Sequence, residues 1–296
     1  MKKTWNPRNW VQLIHLQEFN RHFKSVLAKK IQDEANDRTA SKHRAYATSP
    51  TLTKTGDVCV ILPVYNEQVC IQTTFDAILK YAWGYPHFTF IFVNDGSSDR
   101  TKQIITAGIH AAKTHQIQLI SYQPRAGKGY AIKRGIDYAD AEFICYLDSD
   151  LAYSLSHLDL LIEKLQYADV AIGSRSLIVD NSKDLKFSRK VAGKVFNFLS
   201  RKILNLNYRD MQAGLKGFRK PAAKALFAQQ ELTGFSFDVE LLYLAKKWGY
   251  TIVEVPAKVS DQHQTKVSTV NLLQDSIRML IDLLKIRFND LFGRYS

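Results

Sequence analysis

The segment Val58-Cys59-Val60-Ile61-Leu62-Pro63-Val64-Tyr65-Asn66-Glu67 decides the fold class of this chain of 296 residues. Its first seven residues are almost all apolar, which is typical of a strand buried on both faces of a sheet. Similar runs follow, so strands are predicted at residues 58–64, 88–94, 117–122, 142–147 and 169–172. Helical patterns separate them at residues 67–81, 99–113, 130–138 and 155–166. This alternation predicts an α/β fold with a doubly wound, mainly parallel sheet.

Two of the predicted strands end in acidic residues whose spacing suits a bound cation. Asp95 follows the second strand, and Asp148 and Asp150 follow the fourth. Parallel strands bring their carboxyl ends to one edge of a sheet, where such folds bind ligands. Mg²⁺ and Mn²⁺ bind carboxylates together with phosphate oxygens and water, and a cation there would neutralise a departing diphosphate. Asp148 and Asp150 are therefore the candidate metal ligands, while Asp99 is a candidate helix cap.

Two common nucleotide-binding motifs do not fit the glycine-rich segment Gly127-Lys128-Gly129. The segment lacks the earlier glycine and the following Ser or Thr that a phosphate-binding loop requires. It also lacks the third glycine of the dinucleotide-binding motif. The sequence thus argues against a P-loop NTPase and against a pyridine-nucleotide dehydrogenase.

The net charge of +13 indicates an anionic partner, which could be nucleic acid, membrane lipid or a phosphorylated substrate. Residues 175–224 hold thirteen Lys and Arg against three Asp and Glu, so a predicted helix near 188–203 offers an anion-facing surface. No helix-turn-helix, zinc or RNA-recognition signature is present. We therefore expect no nucleic-acid partner, and a non-enzymatic nucleic-acid-binding protein is only a remote alternative.

The three cysteines form no pair at metal-ligand or disulfide spacing. Cys59 and Cys145 lie within predicted strands, where a cysteine is usually a small core side chain. This pattern, with Cys70 alone between them, is typical of a protein of the reducing cytosol.

The chain divides into three predicted regions. Residues 1–56 carry eleven Lys and Arg against four Asp and Glu, and form a basic amphipathic helix followed by a polar linker. Residues 57–270 form the catalytic domain, and residues 271–296 form a C-terminal amphipathic helix. The apolar positions of the first helix are Leu16, Phe19, Phe23, Leu27 and Ile31, and those of the last are Leu273, Ile277, Leu280, Leu284 and Phe288.

The first helix could pack on the catalytic domain, or its basic face could rest on anionic lipid, as interfacial helices do. The longest apolar run is far shorter than a membrane span, and the first residues lack the apolar segment of a secretory signal. We expect a cytoplasmic protein that is peripherally associated with the cytoplasmic face of an anionic membrane.

Short motifs in two groups carry a resemblance to known enzymes. The first group comprises Pro63-Val64-Tyr65-Asn66-Glu67, Asn94-Asp95-Gly96-Ser97-Ser98-Asp99, Gly127-Lys128-Gly129 with Ala131, and Asp148-Ser149-Asp150. The second comprises Gly173-Ser174-Arg175, Ser188-Arg189-Lys190-Val191, Asp210-Met211-Gln212-Ala213-Gly214-Leu215-Lys216, Gly234-Phe235-Ser236-Phe237-Asp238-Val239-Glu240-Leu241 and Lys266-Val267-Ser268. The first group resembles family 2 glycosyltransferases of the GT-A fold. The second resembles their dolichyl-phosphate mannose and glucose synthase branch.

This resemblance implies a donor site for a nucleotide sugar, either UDP-glucose or GDP-mannose. Tyr65 and Asp95 would hold the base and ribose, and Pro63 and Glu67 would shape that pocket. The donor site would also include Lys128. Asp148 and Asp150 would bind the diphosphate through Mg²⁺ or Mn²⁺ and act in catalysis.

The resemblance also implies an acceptor site for a polyprenyl or dolichyl phosphate. Arg175 and Arg189 would grip the acceptor phosphate, and Lys266 would lie near the diphosphate or the acceptor. Gln212 would contact the sugar or the shell of the metal. Two positions depart from the mannose synthases, because Ala152 and Gly193 stand where those enzymes often carry polar residues. Glucose is therefore preferred over mannose as the transferred hexose.

The predicted reaction is a single displacement at the anomeric carbon, which makes the enzyme an inverting glycosyltransferase. An acceptor phosphate is already anionic and needs no strong base, whereas a hydroxyl acceptor needs one. Asp238 lies where related enzymes with hydroxyl acceptors place that base, and it could equally be a helix cap or a structural carboxylate. The alternative to a lipid-phosphate acceptor is thus a soluble transferase of the same fold that acts on a sugar or small-molecule hydroxyl.

Overall fold

The computed structural model describes residues 58–178, 187–260 and 272–295, with the side chains of 58–178, 196–260 and 278–295. The predicted N-terminal helix and linker at residues 1–56, and Lys266, lie outside these residues. Seven strands are described: β1 (Val58–Val64), β2 (Phe88–Asp95), β3 (Ile117–Tyr122), β4 (Phe143–Leu147), β5 (Val170–Ser174), β6 (Leu215–Arg219) and β7 (Ile252–Pro256). The helices between and after them are α1 (Ile71–Gly84), α2 (Thr101–Ala112), α3 (Lys128–Tyr138), α4 (His157–Leu165), α5 (Phe187–Leu204), α6 (Lys220–Gln229), α7 (Phe237–Lys247) and α8 (Leu272–Leu291). A short 3₁₀ turn, Arg175–Leu177, follows β5.

The strands form one sheet in the order β3-β2-β1-β4-β6-β5-β7. All neighbouring pairs are parallel except those of β6, which runs antiparallel to both β4 and β5. The carboxyl ends of the other six strands therefore share one edge of the sheet. The segment that leads into β6 starts at that same edge, because Leu215 pairs with Leu147 at the end of β4.

Helices cover both faces of the sheet, as alternation along β1 shows. Cys59 and Ile61 face one apolar cluster, which receives side chains from α3, α5, α6, α7 and α8. Val58, Val60 and Leu62 face the other cluster, which receives side chains from α1, α2 and α4. The predicted doubly wound, mainly parallel sheet is confirmed, and so is the burial of Cys59 and Cys145.

The structure corrects the predicted start of the first helix. The sequence predicts a helix from residue 67, whereas α1 begins at Ile71. Asn66 adopts a left-handed backbone conformation with φ of 53°, which breaks a helix at this point. The amide N–H of Cys70 instead donates to the carbonyl oxygen of Glu67, so residues 66–70 form a turn after β1.

The C-terminal helix is observed as α8, with two different apolar faces among its described side chains. Leu283 and Ile286 are fully buried against the domain. The side chains of Ile281, Leu284, Phe288 and Leu291, with that of Phe292 directly after the helix, form an exposed surface, here called the α8 apolar face. Within residues 58–178, 187–260 and 272–295, no helix combines the length and the hydrophobicity needed to span a bilayer.

Candidate active site

The loops after β1, β2, β3 and β4 converge because these strands are parallel neighbours in the sheet. The loops after β1 and β2 are bonded to each other: the N–H of Asn66 donates to the Ser97 hydroxyl at 3.0 Å, and the N–H of Glu67 donates to the Thr101 hydroxyl at 2.8 Å. Asp99 accepts from the N–H of Thr101, the first residue of α2, at 2.9 Å, but the N-cap residue of α2 is Arg100 and not Asp99 as predicted. These hydrogen bonds join the loops after β1 and β2 into one structural unit, here called the rim.

Asp148 and Asp150 lie on a tight turn directly after β4. The N–H of Asp148 donates to the carbonyl oxygen of Gly214 at 3.1 Å, which ties the turn to the segment before β6. Oδ1 of Asp150 accepts from the N–H of Ala152 at 3.1 Å. Leu151, between Asp150 and Ala152, has a φ of 52°, a left-handed conformation that costs energy for a residue with a Cβ. The turn is therefore held in place by its neighbours rather than by its own backbone preference.

Because Gly214 has no side chain, the Asp148 carboxylate can occupy the space beside its Cα. A Cβ at position 214 would lie 1.9 Å from Oδ2 of Asp148 and 2.3 Å from its Cγ. No real Cβ approaches another atom so closely, so any larger residue would displace the carboxylate.

Lys128, at the start of α3, is ion-paired with Asp148 across 2.5 Å. Burial alone would lower the pKa of Lys128, but the nearby carboxylates of Asp148, Asp238 and Asp150 outweigh burial and raise it. Lys128 is thus a fixed positive charge beside the predicted metal ligands. A diphosphate bound at Asp148 would meet this charge.

The chemistry of the Asp148 and Asp150 pair fits a hard divalent cation. Both groups offer carboxylate oxygens, and the Asp148 side chain is 31% exposed, so a ligand can reach it. Among the described residues no cluster of three or more His, Cys, Asp or Glu forms a complete metal site. A cation held here would therefore take further ligands from phosphate oxygens and water, which is the way Mg²⁺ is usually bound.

Asp95 is buried at the end of β2 and organises the loop after β3. Its Oδ1 accepts from the Tyr122 hydroxyl at 2.9 Å and from the N–H of Ala126 at 2.7 Å, and its Oδ2 accepts from the N–H of Gly127 at 3.0 Å. Burial and the hydrogen bond to Asp95 raise the pKa of Tyr122, so this phenol stays a donor. Asp95 thereby positions the segment that leads into Lys128.

Tyr65 lies at the rim of the predicted donor site and is 37% exposed. The guanidinium of Arg125 stacks over its ring at 4.0 Å, a favourable cation–π geometry. Arg125 also lies 3.7 Å from Oδ2 of Asp95. Arg125 is therefore a member of the site that the sequence did not indicate. Pro63 is half-buried in β1, and Glu67 accepts from the Cys70 thiol at 2.8 Å.

On the other side of Asp148, Arg175 forms a bidentate ion pair with Asp210. Nε of Arg175 donates to Oδ2 at 2.5 Å and Nη2 donates to Oδ1 at 2.8 Å. Partial burial would lower the pKa of Arg175, but Asp210 outweighs it and raises that pKa, with a smaller contribution from Asp148. The Arg175 side chain remains 50% exposed. It can thus meet an anion while Asp210 fixes its orientation.

Of the other three predicted acceptor residues, the structure describes Gln212 fully, Arg189 by its backbone alone and Lys266 not at all. The N–H of Gln212 donates to Oδ1 of Asp210 at 3.3 Å, so Gln212 lies in the same segment before β6. The backbone of Arg189 is in the first turn of α5, and its side chain lies outside the described part of the structure. Lys266 lies in the undescribed residues 261–271.

Asp238 is the second residue of α7, and its Oδ1 accepts from Nζ of Lys216 at 2.6 Å and from the Tyr146 hydroxyl. Lys216 also donates to the carbonyl oxygen of Ala213 at 2.8 Å. Lys216 ends the sequence motif that begins at Asp210, but no role was predicted for it, although one signal was available. Leu215, Gly217 and Phe218 around it are apolar, and a lysine in a buried strand requires an ionic partner.

Several known proteins that resemble this chain are named as glycosyltransferases. The sequence matches the family described as Glycosyl transferase family 2 over residues 59–227. A dolichyl-phosphate beta-glucosyltransferase of Dictyostelium discoideum is 29% identical over 247 residues, covering 79% of this chain and 75% of that protein. A dolichyl-phosphate beta-glucosyltransferase of Trichomonas vaginalis is 30% identical over 239 residues, covering 76% of this chain and 69% of that protein.

A similar fold is found in the crystal structure of glucosyl-3-phosphoglycerate synthase from Mycobacterium tuberculosis in complex with Mn²⁺, UDP and glucosyl-3-phosphoglycerate. The TM-score is 0.56 at 16% identity, over 81% of this chain and 85% of that chain. This likeness shows the fold, and it confirms the predicted GT-A architecture.

Proposed function

The chain belongs to glycosyl transferase family 2, and from that premise we propose that it transfers glucose from a nucleotide sugar to a dolichyl or other polyprenyl phosphate. The observation that carries the proposal is the edge where Asp148, Asp150 and Lys128 meet, with Tyr65 on one side and Arg175 on the other. Such an edge offers one site for a nucleotide diphosphate and one for a second anion.

The donor side would bind the nucleotide sugar. Tyr65 and Asp95 hold the base and ribose at the rim formed by the loops after β1 and β2. Asp148 and Asp150 would hold a divalent cation, which would supply a positive charge for the leaving diphosphate. Lys128 contributes a positive charge beside Asp148, which would help to stabilise the negative charge that develops on the diphosphate during transfer.

The acceptor side would bind a phosphate. Arg175 is half-exposed and held by Asp210, so its unused N–H groups can meet phosphate oxygens without a large loss of side-chain freedom. Arg189 and Lys266 remain predicted partners of the same phosphate. Attack of a phosphate oxygen on the face of the sugar opposite the diphosphate would invert the anomeric centre.

UDP-glucose is the preferred donor. The Dictyostelium and Trichomonas relatives are named as glucosyltransferases, and the mycobacterial structure of the same fold contains UDP. Ala152 agrees with this preference, because it offers only its backbone N–H at a position where mannose synthases often carry a polar side chain. GDP-mannose is the second candidate donor, and Mg²⁺ and Mn²⁺ are both candidate cations.

A donor and acceptor screen tests the proposal. The purified protein is given UDP-glucose or GDP-mannose with Mn²⁺ or Mg²⁺, and with dolichyl phosphate or dolichol in detergent. We expect release of UDP and formation of a glucosylated lipid with dolichyl phosphate alone. Transfer to dolichol or to soluble sugars, with none to dolichyl phosphate, would establish the alternative acceptor with a hydroxyl group.

A further inference from the structure

A fully buried lysine faces the carboxylate at the start of α7. The Lys216 side chain is 0% exposed and the Asp238 side chain is 4% exposed. Their 2.6 Å ion pair shares Oδ1 of Asp238 with the hydroxyl of Tyr146, whose ring also lies under the Lys216 ammonium at 5.6 Å. Among the described residues, Asp238 is the carboxylate that forms a direct ion pair with Lys216, while Asp210 acts on Lys216 only through space and is itself paired with Arg175.

This pairing conflicts with a role of Asp238 as a proton acceptor. A carboxylate that takes a proton becomes neutral, and the Lys216 ammonium would then lose its directly bonded counter-ion in the core. Removing one partner of a buried ion pair is strongly unfavourable, because the other charge stays desolvated. Oδ1 already accepts two hydrogen bonds as well. Asp238 is therefore poorly suited to activate a hydroxyl acceptor.

Tyr146 and Lys216, the two hydrogen-bond donors to Asp238, each lie two residues away from a residue of the Asp148–Gly214 backbone contact. Tyr146 precedes Asp148 by two residues in β4 and pairs with Lys216 in β6. Lys216 follows Gly214 by two residues, and the carbonyl oxygen of Gly214 accepts from the N–H of Asp148. A shift of this ion pair would consequently move the predicted metal ligand.

We infer that Lys216, Asp238 and Tyr146 form a positioning unit that fixes Asp148, and that the site has no general base at Asp238, so its acceptor must arrive already ionised. The inference rests on the proposed function and narrows its acceptor to a phosphate oxyanion. In that reaction a bond forms between the phosphate oxygen and the anomeric carbon. The bond to the diphosphate breaks with its electron pair, and no proton is transferred.

Neutral replacement of the whole pair tests the inference. Asp238→Asn and Lys216→Met are made singly and together in the full-length protein, and thermal unfolding and glucose transfer to dolichyl phosphate are measured. Each single change leaves one buried charge unpaired, so we expect a lower Tm and at least a 10-fold loss of transfer. The double variant has no unpaired charge, so we expect a Tm near that of the unchanged protein and transfer within about 10-fold of it.

Glu240→Gln is the matched control, because Glu240 is another buried carboxylate of α7 that accepts from the backbone N–H of Leu232 and the Tyr295 hydroxyl. We expect it to lower the Tm without changing kcat. A merely structural role of Asp238 would give the same pattern as this control, whereas a positioning role lowers kcat in the single variants and restores it in the double variant.

A folded double variant that has lost 100-fold or more of its transfer would overturn the inference, since removal of a general base typically costs 10²- to 10⁴-fold. If the double variant does not fold, Lys216→Gln with Asp238→Asn takes its place under the same criterion. Failure of both to fold would contradict the counter-ion role. An unchanged protein that transfers no sugar to dolichyl phosphate would instead refute the proposed function.

Discussion

At the scale of single residues, Gly214 and Asp148 show how closely two backbones approach in this site. A methyl group at position 214 would overlap the Asp148 carboxylate, with a separation of 1.9 Å from Oδ2. The carboxylate cannot rotate away without leaving Lys128, its partner across 2.5 Å. The position of the Asp148 carboxylate therefore depends on a residue without a side chain at position 214.

Gly214→Ala is expected to remove transfer almost completely, by about 100-fold or more, while the protein still folds. Overpacking of this kind costs about 1–3 kcal/mol of stability, which circular dichroism would show as a modest decrease in Tm. Gly84→Ala is the control, because no atom lies within 4 Å of a Cβ at that helical position. Full transfer by Gly214→Ala would show that the Asp148 carboxylate can move without consequence.

Asp148→Asn and Asp150→Asn test the cation site at the same scale. Each change removes a negative oxygen, so we expect loss of several kcal/mol of transition-state stabilisation and weaker binding of Mn²⁺ in the presence of UDP. Calorimetric titration with Mn²⁺ measures the binding, and the rate of glucose transfer measures the catalytic effect. Undiminished activity of the unchanged protein in excess chelator would rule out a metal-dependent reaction.

The sequence predicted the strand-end carboxylates well because they depend on local patterns. Apolar runs followed by Asp95, Asp148 and Asp150 can be recognised from their spacing alone. The sequence could not predict the partners of these residues, because those partners come from distant segments. Asp210 lies 35 residues from Arg175, and Asp238 lies 22 residues from Lys216. Only the fold brings such charges together.

At the scale of elements, the reversal of β6 explains how the acceptor side is built. Because β6 is antiparallel to β4 and β5, the segment before it reaches the carboxyl edge between those two strands. This segment carries Asp210, Gln212 and Gly214. The sequence indicated these residues through a motif resemblance, and it predicted no strand at 215–219. The antiparallel pairing depends on non-local contacts that periodicity does not reveal.

Arg175→Lys tests the connection between β5 and this segment. Lysine keeps the positive charge but loses the fork that pairs with Asp210, so its ammonium would no longer be held in position. We expect about a 10-fold or greater increase in the KM for dolichyl phosphate and an unchanged Kd for UDP. Steady-state kinetics and calorimetric titration with UDP measure the two effects.

Arg219→Lys is the matched control for this prediction. Arg219 lies at the far end of β6 and donates to the backbone carbonyl oxygen of Leu165 at 2.7 Å. Its replacement is expected to affect the Tm and leave both binding constants unchanged. An equal weakening of UDP binding by Arg175→Lys would place Arg175 in the donor site.

At the scale of the whole molecule, the net charge of +13 and the α8 apolar face indicate how the protein would meet a lipid acceptor. Phe288, Leu291 and Phe292 are each more than half exposed. Arg278, Lys285 and Arg294 are exposed on or just after the same helix. Apolar side chains flanked by cations are typical of helices that lie in the interface of an anionic membrane.

Binding to vesicles tests this peripheral association. The protein is expected to sediment with vesicles that contain phosphatidylserine at low salt and to be released as ionic strength rises, because basic residues near such a surface contribute about 1 kcal/mol each. Phe288→Ser with Phe292→Ser should weaken the association by removing two exposed rings. Tyr138→Ser, which removes an exposed aromatic residue outside α8, should not.

Deletion of residues 1–45 separates the predicted basic N-terminal helix from α8 in the same assay. If the deleted residues bind lipid, the shortened protein is released from vesicles at lower salt and still binds UDP with unchanged affinity. If α8 alone provides the contact, the deletion leaves sedimentation unchanged and only the Phe288 and Phe292 variants weaken it. A full-length protein that ignores anionic vesicles even at low salt would contradict the membrane association, and an acceptor in solution would then be favoured.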